Sequence, residues 1–160
     1  MLRIAPALSD AALLQTRNLF REYAKMPGVA PCVEDFEREV VSLPGLYAPP
    51  GGRLLLAMKD GAENSGEAIG CIALRSLEPE VCEMKRLCVR SAFRGGGAGK
   101  ELVRSLIAEA RSIGYKRMLL DTLPSMAEAH KLYRILGFHE IPSYQKNPIP
   151  GALFFELLLR

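Results

Sequence analysis

Two kinds of hydrophobic pattern alternate along the chain and predict its helices and strands. Runs with helical period begin at a capping Ser9 or Asp10, near residue 33 and at Gly99, and each places apolar residues on one face. A fourth helix is predicted after a capping box at Ser125-Met126-Ala127-Glu128. Short apolar runs typical of buried strands lie around these helices. The predicted strands are residues 2–5, 53–58, 68–74, 81–89, 118–123, 138–141 and 152–159.

This order of elements predicts a mixed sheet with helices on both faces. The fold class is α/β, or α+β with a mixed sheet, and a single domain is expected over residues 1–160. The second and third strands are expected to pair as a hairpin. The third helix joins the fourth and fifth strands, and a right-handed crossover makes those two strands parallel.

The predicted strand at residues 81–89 has an irregular alternation. Its inward positions are Met84, Leu87 and Val89, so a step of three residues is followed by a step of two. A slipped register of this kind predicts a β-bulge, which splays the strand from its neighbour. Burial of the strand on both faces would produce the same pattern, and the sequence alone does not choose between the two.

The composition narrows the class of protein. With 49% hydrophobic residues and no low-complexity run, the 160-residue chain is expected to fold around a core. Its net charge of +3 comes from scattered basic residues, which argues against a nucleic-acid partner. Residues 1–10 contain no apolar stretch of signal-peptide length and no run approaches a membrane span, so no membrane partner is expected. The cysteine pattern is typical of a reducing compartment, so a cytoplasmic protein is expected.

The cysteines and histidines form no recognisable metal motif. The chain has no C-x-x-C pair, and three of its cysteines lie in strand-like runs, so buried free thiols are expected. His130 and His139 have no zinc-type spacing to a cysteine, so no metal is expected. His130 is expected on the solvated side of its helix. The four cysteines are Cys32, Cys71, Cys82 and Cys88.

The stretch Arg94-Gly95-Gly96-Gly97-Ala98-Gly99 follows the irregular strand and opens the third helix. Glycines let the backbone approach a ligand closely, and the first N–H groups of a helix attract anions, so a phosphate-bearing ligand is expected. A P-loop is disfavoured because Arg94 replaces its first glycine and Glu101 replaces its hydroxyl residue. A dinucleotide G-x-G-x-x-G pattern fails in every register. A flexible connection without a ligand is the alternative.

A third phosphate-binding pattern, [QR]-x-x-G-x-[GA], is matched by Arg94, Gly97 and Gly99. The strand C-E-M-K-R-L-C-V precedes it, and the motif A-x-x-L-Y-x-x-x-G-F follows from Ala129 to Phe138, after L-D-T-L-P-S-M. In this order and spacing the three motifs resemble the GNAT family of N-acetyltransferases. The resemblance implies a central splayed mixed sheet of the acyl-CoA N-acyltransferase type and acetyl-CoA as co-substrate.

The resemblance also implies where acetyl-CoA would lie. Its pantetheine arm would enter a V between the strands at 81–89 and 118–123 and pair with backbone there. Its pyrophosphate would lie on the glycine turn, with charge supplied by Arg94 and Lys100. The residues expected to contact this ligand are Leu87, Cys88, Val89, Arg94, Gly95, Gly96, Gly97, Ala98, Gly99, Lys100, Ser125 and Ala129.

Tyr133 and Glu83 are the expected catalytic residues. The family places a tyrosine beside the thioester sulfur, where Tyr133 would protonate the leaving thiolate. The alternative is a tyrosine that only completes the apolar face of its helix. Glu83 would accept the amine proton directly or through water, and its alternative is an ion pair with Lys85 or Arg86. The resemblance implies direct transfer, without an acetyl-cysteine at Cys88.

The expected function is acetyl transfer from acetyl-CoA to a primary amine of a small molecule or a protein. The resemblance implies an acceptor site built by loops at 25–32, 47–52 and 144–150, and family members often form homodimers. Two alternatives stay open: a non-catalytic acyl-CoA-binding regulatory module, and a transferase that uses another acyl donor. The tyrosines expected to line the acceptor site are Tyr23, Tyr47 and Tyr144.

Overall fold

A computed structural model describes residues 2–26, 29, 33–59, 66–146 and 148–160, without the side chains of residues 33 and 34. Its elements follow the predicted order. The helices are α1 (Asp10–Ala24), α2 (Val33–Val41), α3 (Ala98–Ile113) and α4 (Ala127–Ile135). The strands are β1 (Leu2–Pro6), β2 (Arg53–Lys59), β3 (Glu67–Glu78), β4 (Val81–Val89), β5 (Arg117–Thr122), β6 (His139–Ile141) and β7 (Leu153–Leu158).

Seven described strands form one sheet in the order β1-β2-β3-β4-β5-β7-β6. β2 and β3 pair antiparallel, as the predicted hairpin requires. β4 and β5 form the parallel pair that the crossover through α3 predicts. The remaining neighbours pair antiparallel, so the predicted mixed sheet is confirmed.

Alternating side chains of the strands contribute to two separate hydrophobic cores. In one core, Leu106 of α3 packs with Ile72 of β3. In the other, Phe20 of α1 and Val40 of α2 pack with Leu56 of β2. Because successive strand residues point to opposite faces, α1 and α2 cover one face of the sheet and α3 covers the other. The prediction of helices on both faces is therefore confirmed.

A β-bulge interrupts β4. Cys71 of β3 faces Cys88, whereas Ala73 faces Lys85, so β4 contains one more residue than β3 across this interval. Arg86 lies within the interval and has a φ of 62°, a left-handed conformation that non-glycine residues rarely adopt. The structure thus favours the bulge over an uninterrupted strand buried on both faces.

The bulge lies just beyond the point where β4 and β5 part. Their parallel pairing extends from Val81, opposite Arg117, to Glu83, opposite Leu119, and no pairing follows. Beyond Glu83, β4 stays paired with β3 on its other side, and β5 stays paired with β7. The two parallel strands therefore diverge as a V, with unpaired backbone groups on its inner edges.

The start of α4 differs from the prediction. The helix begins at Ala127 with Met126 as its N-cap residue, and Met126 makes no side-chain capping hydrogen bond. The helix therefore begins one residue later than a cap at Ser125 predicts. The short turn that joins β5 to the helix includes a hydrogen bond from Met126 N to Leu123 O of 3.0 Å.

His130 is buried rather than solvated, which corrects the sequence-based expectation. Its side chain is 7% exposed, and its Nε2 lies 3.0 Å from Leu123 O and 3.2 Å from Thr122 Oγ1. Because a carbonyl oxygen can only accept, the Nε2–H group donates a hydrogen bond to Leu123 O. The imidazole thereby ties α4 to the carboxyl end of β5, at the mouth of the V.

Cys71, Cys82 and Cys88 are buried free thiols, as predicted, whereas Cys32 lies outside the described residues. No described helix has both the length and the apolar character needed to cross a bilayer. Among the side chains that the structure describes, no three His, Cys, Asp or Glu residues come together as metal ligands.

Candidate active site

The V between β4 and β5 opens into a cleft of about 330 Å³. Residues 84–87 of β4 form one wall, and residues 120–122 of β5 with the following Leu123 form the other. Tyr133 of α4 also lines the cleft. Tyr23 of α1 and Phe36 of α2 line it from the opposite face of the sheet. The volume is at the lower end of the range of roughly 300–1,000 Å³ that is usual for small-molecule sites.

Tyr133 belongs to the core on the α3 face of the sheet and also lines the cleft. The residue is 5% exposed, and its ring centroid lies 5.6 Å from that of Phe138 and 5.9 Å from that of Phe155. Its hydroxyl donates a hydrogen bond to no residue that the structure describes. Burial raises the pKa of Tyr133, and the neighbouring Tyr23 and Asp121 raise it further. The phenol therefore keeps its proton at neutral pH and can offer it to a group in the cleft.

The glycine turn forms an open cradle at the start of α3. Gly95 and Gly97 have φ values of 86° and 87°, and a Cβ on either would meet no atom within 4 Å. Gly97 is the N-cap residue, and Glu101 N donates to Gly97 O at 3.0 Å. Within the described part of the chain, no acceptor faces the N–H groups of residues 95–100. The free N–H groups and the helix dipole fit a phosphate.

The other residues that the sequence predicts to contact acetyl-CoA lie at several positions around the cleft and the glycine turn. Leu87 lines the cleft, and Val89 O accepts a hydrogen bond from Arg94 Nε at 3.0 Å. The Arg94 side chain therefore lies back along the strand that precedes the turn. The remaining positions are the exposed Gly96 and half-buried Gly99 and Lys100 of the turn and α3, the buried Ala98, the exposed Ser125, and the half-buried Ala129 of α4.

Cys88 lies away from the cleft. Its side chain is 5% exposed and packs in the core under α1 and α2, whereas Tyr133 belongs to the core on the α3 face. Burial raises the pKa of the Cys88 thiol to about 11, and the charge of Glu22 adds to the rise. The thiol is therefore protonated and poorly nucleophilic at neutral pH.

We expect Cys88→Ala to retain acetyl transfer, because neither the position nor the protonation state of this thiol suits a covalent intermediate. Turnover should stay within about threefold of the parent protein, the change being limited to packing losses at one small buried side chain. Mass spectrometry after incubation with acetyl-CoA alone should detect no acetylated Cys88. Loss of turnover in a folded Cys88→Ala protein would contradict this expectation.

Glu83 lies beneath the cleft wall rather than in it. Its side chain is 1% exposed, and Arg75 Nε donates to its Oε1 at 2.7 Å. The Tyr144 hydroxyl donates to its Oε2 at 2.6 Å. The ion pair suggested with Lys85 exists at 3.9 Å, whereas Arg86 pairs elsewhere. Both carboxylate oxygens are thus engaged, and any proton transfer from the cleft must pass through another group.

The bulged Arg86 is neutralised and held by α2. Its Nε and Nη2 donate to the two carboxylate oxygens of Glu39 at 2.9 and 3.1 Å. Its guanidinium carbon lies 5.6 Å from the ring centre of Tyr23 and 5.4 Å from that of Phe36. The buried Tyr47 hydroxyl completes the cluster by donating to Glu39 at 3.0 Å. This arrangement fixes the bulge and the side of the cleft that faces α2.

The three tyrosines expected at the acceptor site lie in different places. Tyr23 lines the cleft, whereas Tyr47 is 1% exposed in the core and Tyr144 reaches Glu83 beneath the wall. The expected loops contribute Val29, Gln145 and Ile149, and the 47–52 loop contributes no lining residue.

The sequence prediction missed the lining residues Phe36, Glu39 and Asp121. A signal for Asp121 existed, since it is the lone carboxylate in the apolar run M-L-L-D-T-L.

The parallel strands part to form a cleft that is lined by a protonated tyrosine, and a turn with free N–H groups follows the first of them. This arrangement suits an enzyme that transfers a group from a phosphate-bearing donor. The acetyltransferase (GNAT) family profile matches residues 13–138. The chain therefore belongs to the GNAT family, and the sequence-based assignment is confirmed.

The chain is similar to several proteins of this kind. It is 35% identical over 142 residues to an N-acetyltransferase of Schizosaccharomyces pombe, covering 88% of this chain and 85% of that protein. It is 34% identical to human N-acetylaspartate synthetase over 117 residues, covering 68% of this chain but only 37% of that relative. A Salmonella typhimurium protein solved with its cofactor acetyl-CoA has a TM-score of 0.71 at 18% identity, covering 100% of this chain and 95% of that one.

Proposed function

We propose that the chain transfers the acetyl group of acetyl-CoA directly to a primary amine in the cleft between β4 and β5. The observation that carries this proposal is that Tyr133, a buried phenol that keeps its proton, lines the cleft between the two parted strands. A non-catalytic binding module would need the cleft and the glycine turn but would have no use for a proton donor there. The family and the acetyl-CoA bound to the Salmonella protein support the choice of donor.

The chain offers acetyl-CoA two kinds of contact. The unpaired inner edge of β4, which includes Leu87, Cys88 and Val89, can accept an extended arm as an added strand. The N–H groups of residues 95–100, with Arg94 and Lys100 nearby, can hold its phosphates. Occupation of the Val89 carbonyl by a ligand would release the Arg94 side chain from its hydrogen bond.

Bound acetyl-CoA supplies an acetyl thioester whose carbonyl carbon the neutral amine attacks. As the carbon–nitrogen bond forms and the carbon–sulfur bond breaks, Tyr133 donates its phenolic proton to the departing sulfur. The amine nitrogen gives up one proton before the attack and one as the amide forms. One of these protons restores the phenol of Tyr133, and the other leaves through the base.

Glu83 is the predicted base, and the structure suggests a route for it. Lys85 Nζ lies 3.9 Å from Glu83 Oε1 and 3.6 Å from Asp121 Oδ1, and both Lys85 and Asp121 line the cleft. A proton leaving the cleft would therefore reach Glu83 through Lys85 or through water. The pH dependence of turnover in a Glu83 variant tests this relay.

The proposed phosphate contact predicts that Gly97→Val weakens acetyl-CoA binding by about tenfold or more. A β-branched residue strongly disfavours a φ of 87°, and its side chain would project into the open space where no protein atom lies within 4 Å. Loss of one charge-assisted hydrogen bond corresponds to roughly that factor. Calorimetric titration with acetyl-CoA measures the change.

Gly66→Ala provides a matched control for this loop variant. A Cβ at Gly66 would meet its nearest neighbours at 3.4 Å, which is an ordinary contact. Gly66 precedes β3 in the sequence, whereas the glycine turn follows β4. Its acetyl-CoA affinity should equal that of the parent protein. If folded Gly97→Val instead binds acetyl-CoA with the affinity of the parent protein, the glycine turn is not part of the binding site.

Release of free thiol from acetyl-CoA across a panel of amines tests the proposed activity. The expected result is amine-dependent thiol release with formation of the N-acetylated amine, detected by mass spectrometry. The human relative's name points to the amino group of an amino acid, so L-aspartate belongs in the panel. Thermal stabilisation by CoA without turnover on any amine would assign the chain to the non-catalytic alternative.

A further inference from the structure

The two cationic side chains that line the cleft are both engaged in ion pairs. Arg86 is fully paired with Glu39 through two hydrogen bonds of 2.9 and 3.1 Å. Lys85 lies between two carboxylates, at 3.6 Å from Asp121 and 3.9 Å from Glu83. These are the two cations among the described lining residues, and residues 27–32 contain no basic side chain. Neither cation is available to a carboxylate-bearing ligand without the loss of an existing ion pair.

Asp121 differs from the other carboxylates of this network. Glu83 accepts hydrogen bonds from Arg75 and Tyr144, and Glu39 accepts them from Arg86. By contrast, no described residue donates to Asp121 within hydrogen-bond distance, and its nearest cation is shared. Its side chain is 27% exposed and lines the cleft. A partly buried carboxylate in this state has lone pairs available for a donor from a ligand.

Asp121 and Tyr133 line the same cleft, which relates the available lone pairs of Asp121 to the proposed proton donor. Both residues line the same cleft, and Tyr133 is a 5% exposed phenol that donates to no described residue. The negative charge of Asp121 also contributes to the raised pKa values of Tyr133 and Tyr23. A cationic donor held by Asp121 would therefore lie close to the group that protonates the sulfur.

The remaining walls indicate what the cation is attached to. Val29, Phe36, Leu87 and Ile149 give the cleft apolar surface, and Tyr23 adds an aromatic ring. The lining side chains carry three carboxylates, Asp35, Glu39 and Asp121, against the two cations. A ligand with an ammonium group and an apolar body matches this lining, whereas additional negative charge on the ligand opposes it.

We propose that Asp121 binds the ammonium group of the acceptor, and that the acceptor is a primary amine on an uncharged alkyl or aryl body rather than an amino dicarboxylate. The proposal rests on the proposed acetyl transfer in this cleft and assigns it an acceptor class. It differs from the acceptor that the name of the human relative suggests. Lys85 holds Asp121 in place, and the apolar walls receive the body of the amine.

The experiment compares butylamine, 2-phenylethylamine and L-aspartate as acceptors for the intact chain, with thiol release from acetyl-CoA as the readout. The two monoamines should be acetylated with a kcat/KM at least tenfold above that of L-aspartate, which would have to break a cleft ion pair. A preference for L-aspartate would overturn the acceptor class while leaving acetyl transfer intact. Absence of thiol release with every amine would instead contradict the proposed function, and with it this inference.

Asp121→Asn tests the residue itself. The expected result is a rise in KM for the preferred monoamine of about tenfold or more, the effect of losing one hydrogen bond between charged groups. The calorimetric affinity for acetyl-CoA should not change, which also shows that the variant is folded. Asp121→Glu should recover part of the lost affinity for the amine, and the exposed Asp10→Asn should match the parent protein. An unchanged KM in Asp121→Asn would overturn the role of Asp121.

Discussion

Tyr133→Phe is expected to lower kcat by about 100-fold, within the usual range for the loss of one proton-transfer group. The substitution removes only the hydroxyl, and the ring contacts with Phe138 and Phe155 stay in place. Because the hydroxyl donates to no described residue, its removal leaves no partner unsatisfied. Steady-state kinetics at saturating amine and acetyl-CoA measure the change.

The acetyl-CoA affinity of Tyr133→Phe separates catalysis from binding. The glycine turn and the β4 edge provide the proposed cofactor contacts, so calorimetry should give the same Kd for the variant and the parent protein. The free energy of unfolding should also be nearly equal, which excludes a packing explanation. If kcat at saturating amine is unchanged, Tyr133 is a core residue of α4 and the acid is another group.

Glu83→Ala is expected to lower the free energy of unfolding by about 3 kcal/mol, since removal of one partner from a buried ion pair leaves the others uncompensated. Arg75 would lose a 2.7 Å partner and the Tyr144 hydroxyl a 2.6 Å acceptor. Urea denaturation measures the loss. Glu128→Ala is the matched control, because Glu128 is 91% exposed and its ion pair with Lys131 should contribute well under about 1 kcal/mol.

The pH–rate profile of Glu83→Gln tests Glu83 as the base. Glutamine can still accept the hydrogen bond from Tyr144 but cannot take a proton, so the acidic limb of the profile should disappear if Glu83 receives the amine proton. An intact limb, together with the loss of stability in Glu83→Ala, would make Glu83 a structural anchor for Tyr144. The main role of Glu83 would then be to stabilise the loop that carries Gln145 and Ile149 to the cleft.

Local patterns predicted the parts of the site that depend on local backbone conformation. The step from Met84 to Leu87 reflects an extra residue, and an extra residue can fit into a paired strand only as a bulge. The glycines of the turn likewise determine where a positive φ is available. These features could be inferred because the cause and the effect lie within a few residues of each other.

Contacts between distant segments could not be predicted in this way. Glu83 meets Tyr144, which lies 61 positions away, and Arg86 meets Glu39, which lies 47 positions away. The nearest sequence neighbours suggested Lys85 and Arg86 as partners of Glu83, yet the strand geometry places Arg75 closer. Periodicity assigns a side chain to a face of its element, but the partner on that face depends on how the elements pack.

The parted strands have a further consequence for the ligand-free protein. An unpaired strand edge in water is a template to which a strand from another chain can add, and natural sheets use bends and charged side chains to prevent this. The left-handed Arg86 bends β4 just beyond its last contact with β5, and the guanidinium of Arg94 covers the carbonyl of Val89. By the same physical argument, the bend at Arg86 and the hydrogen bond from Arg94 disfavour the addition of a strand from another chain at this edge.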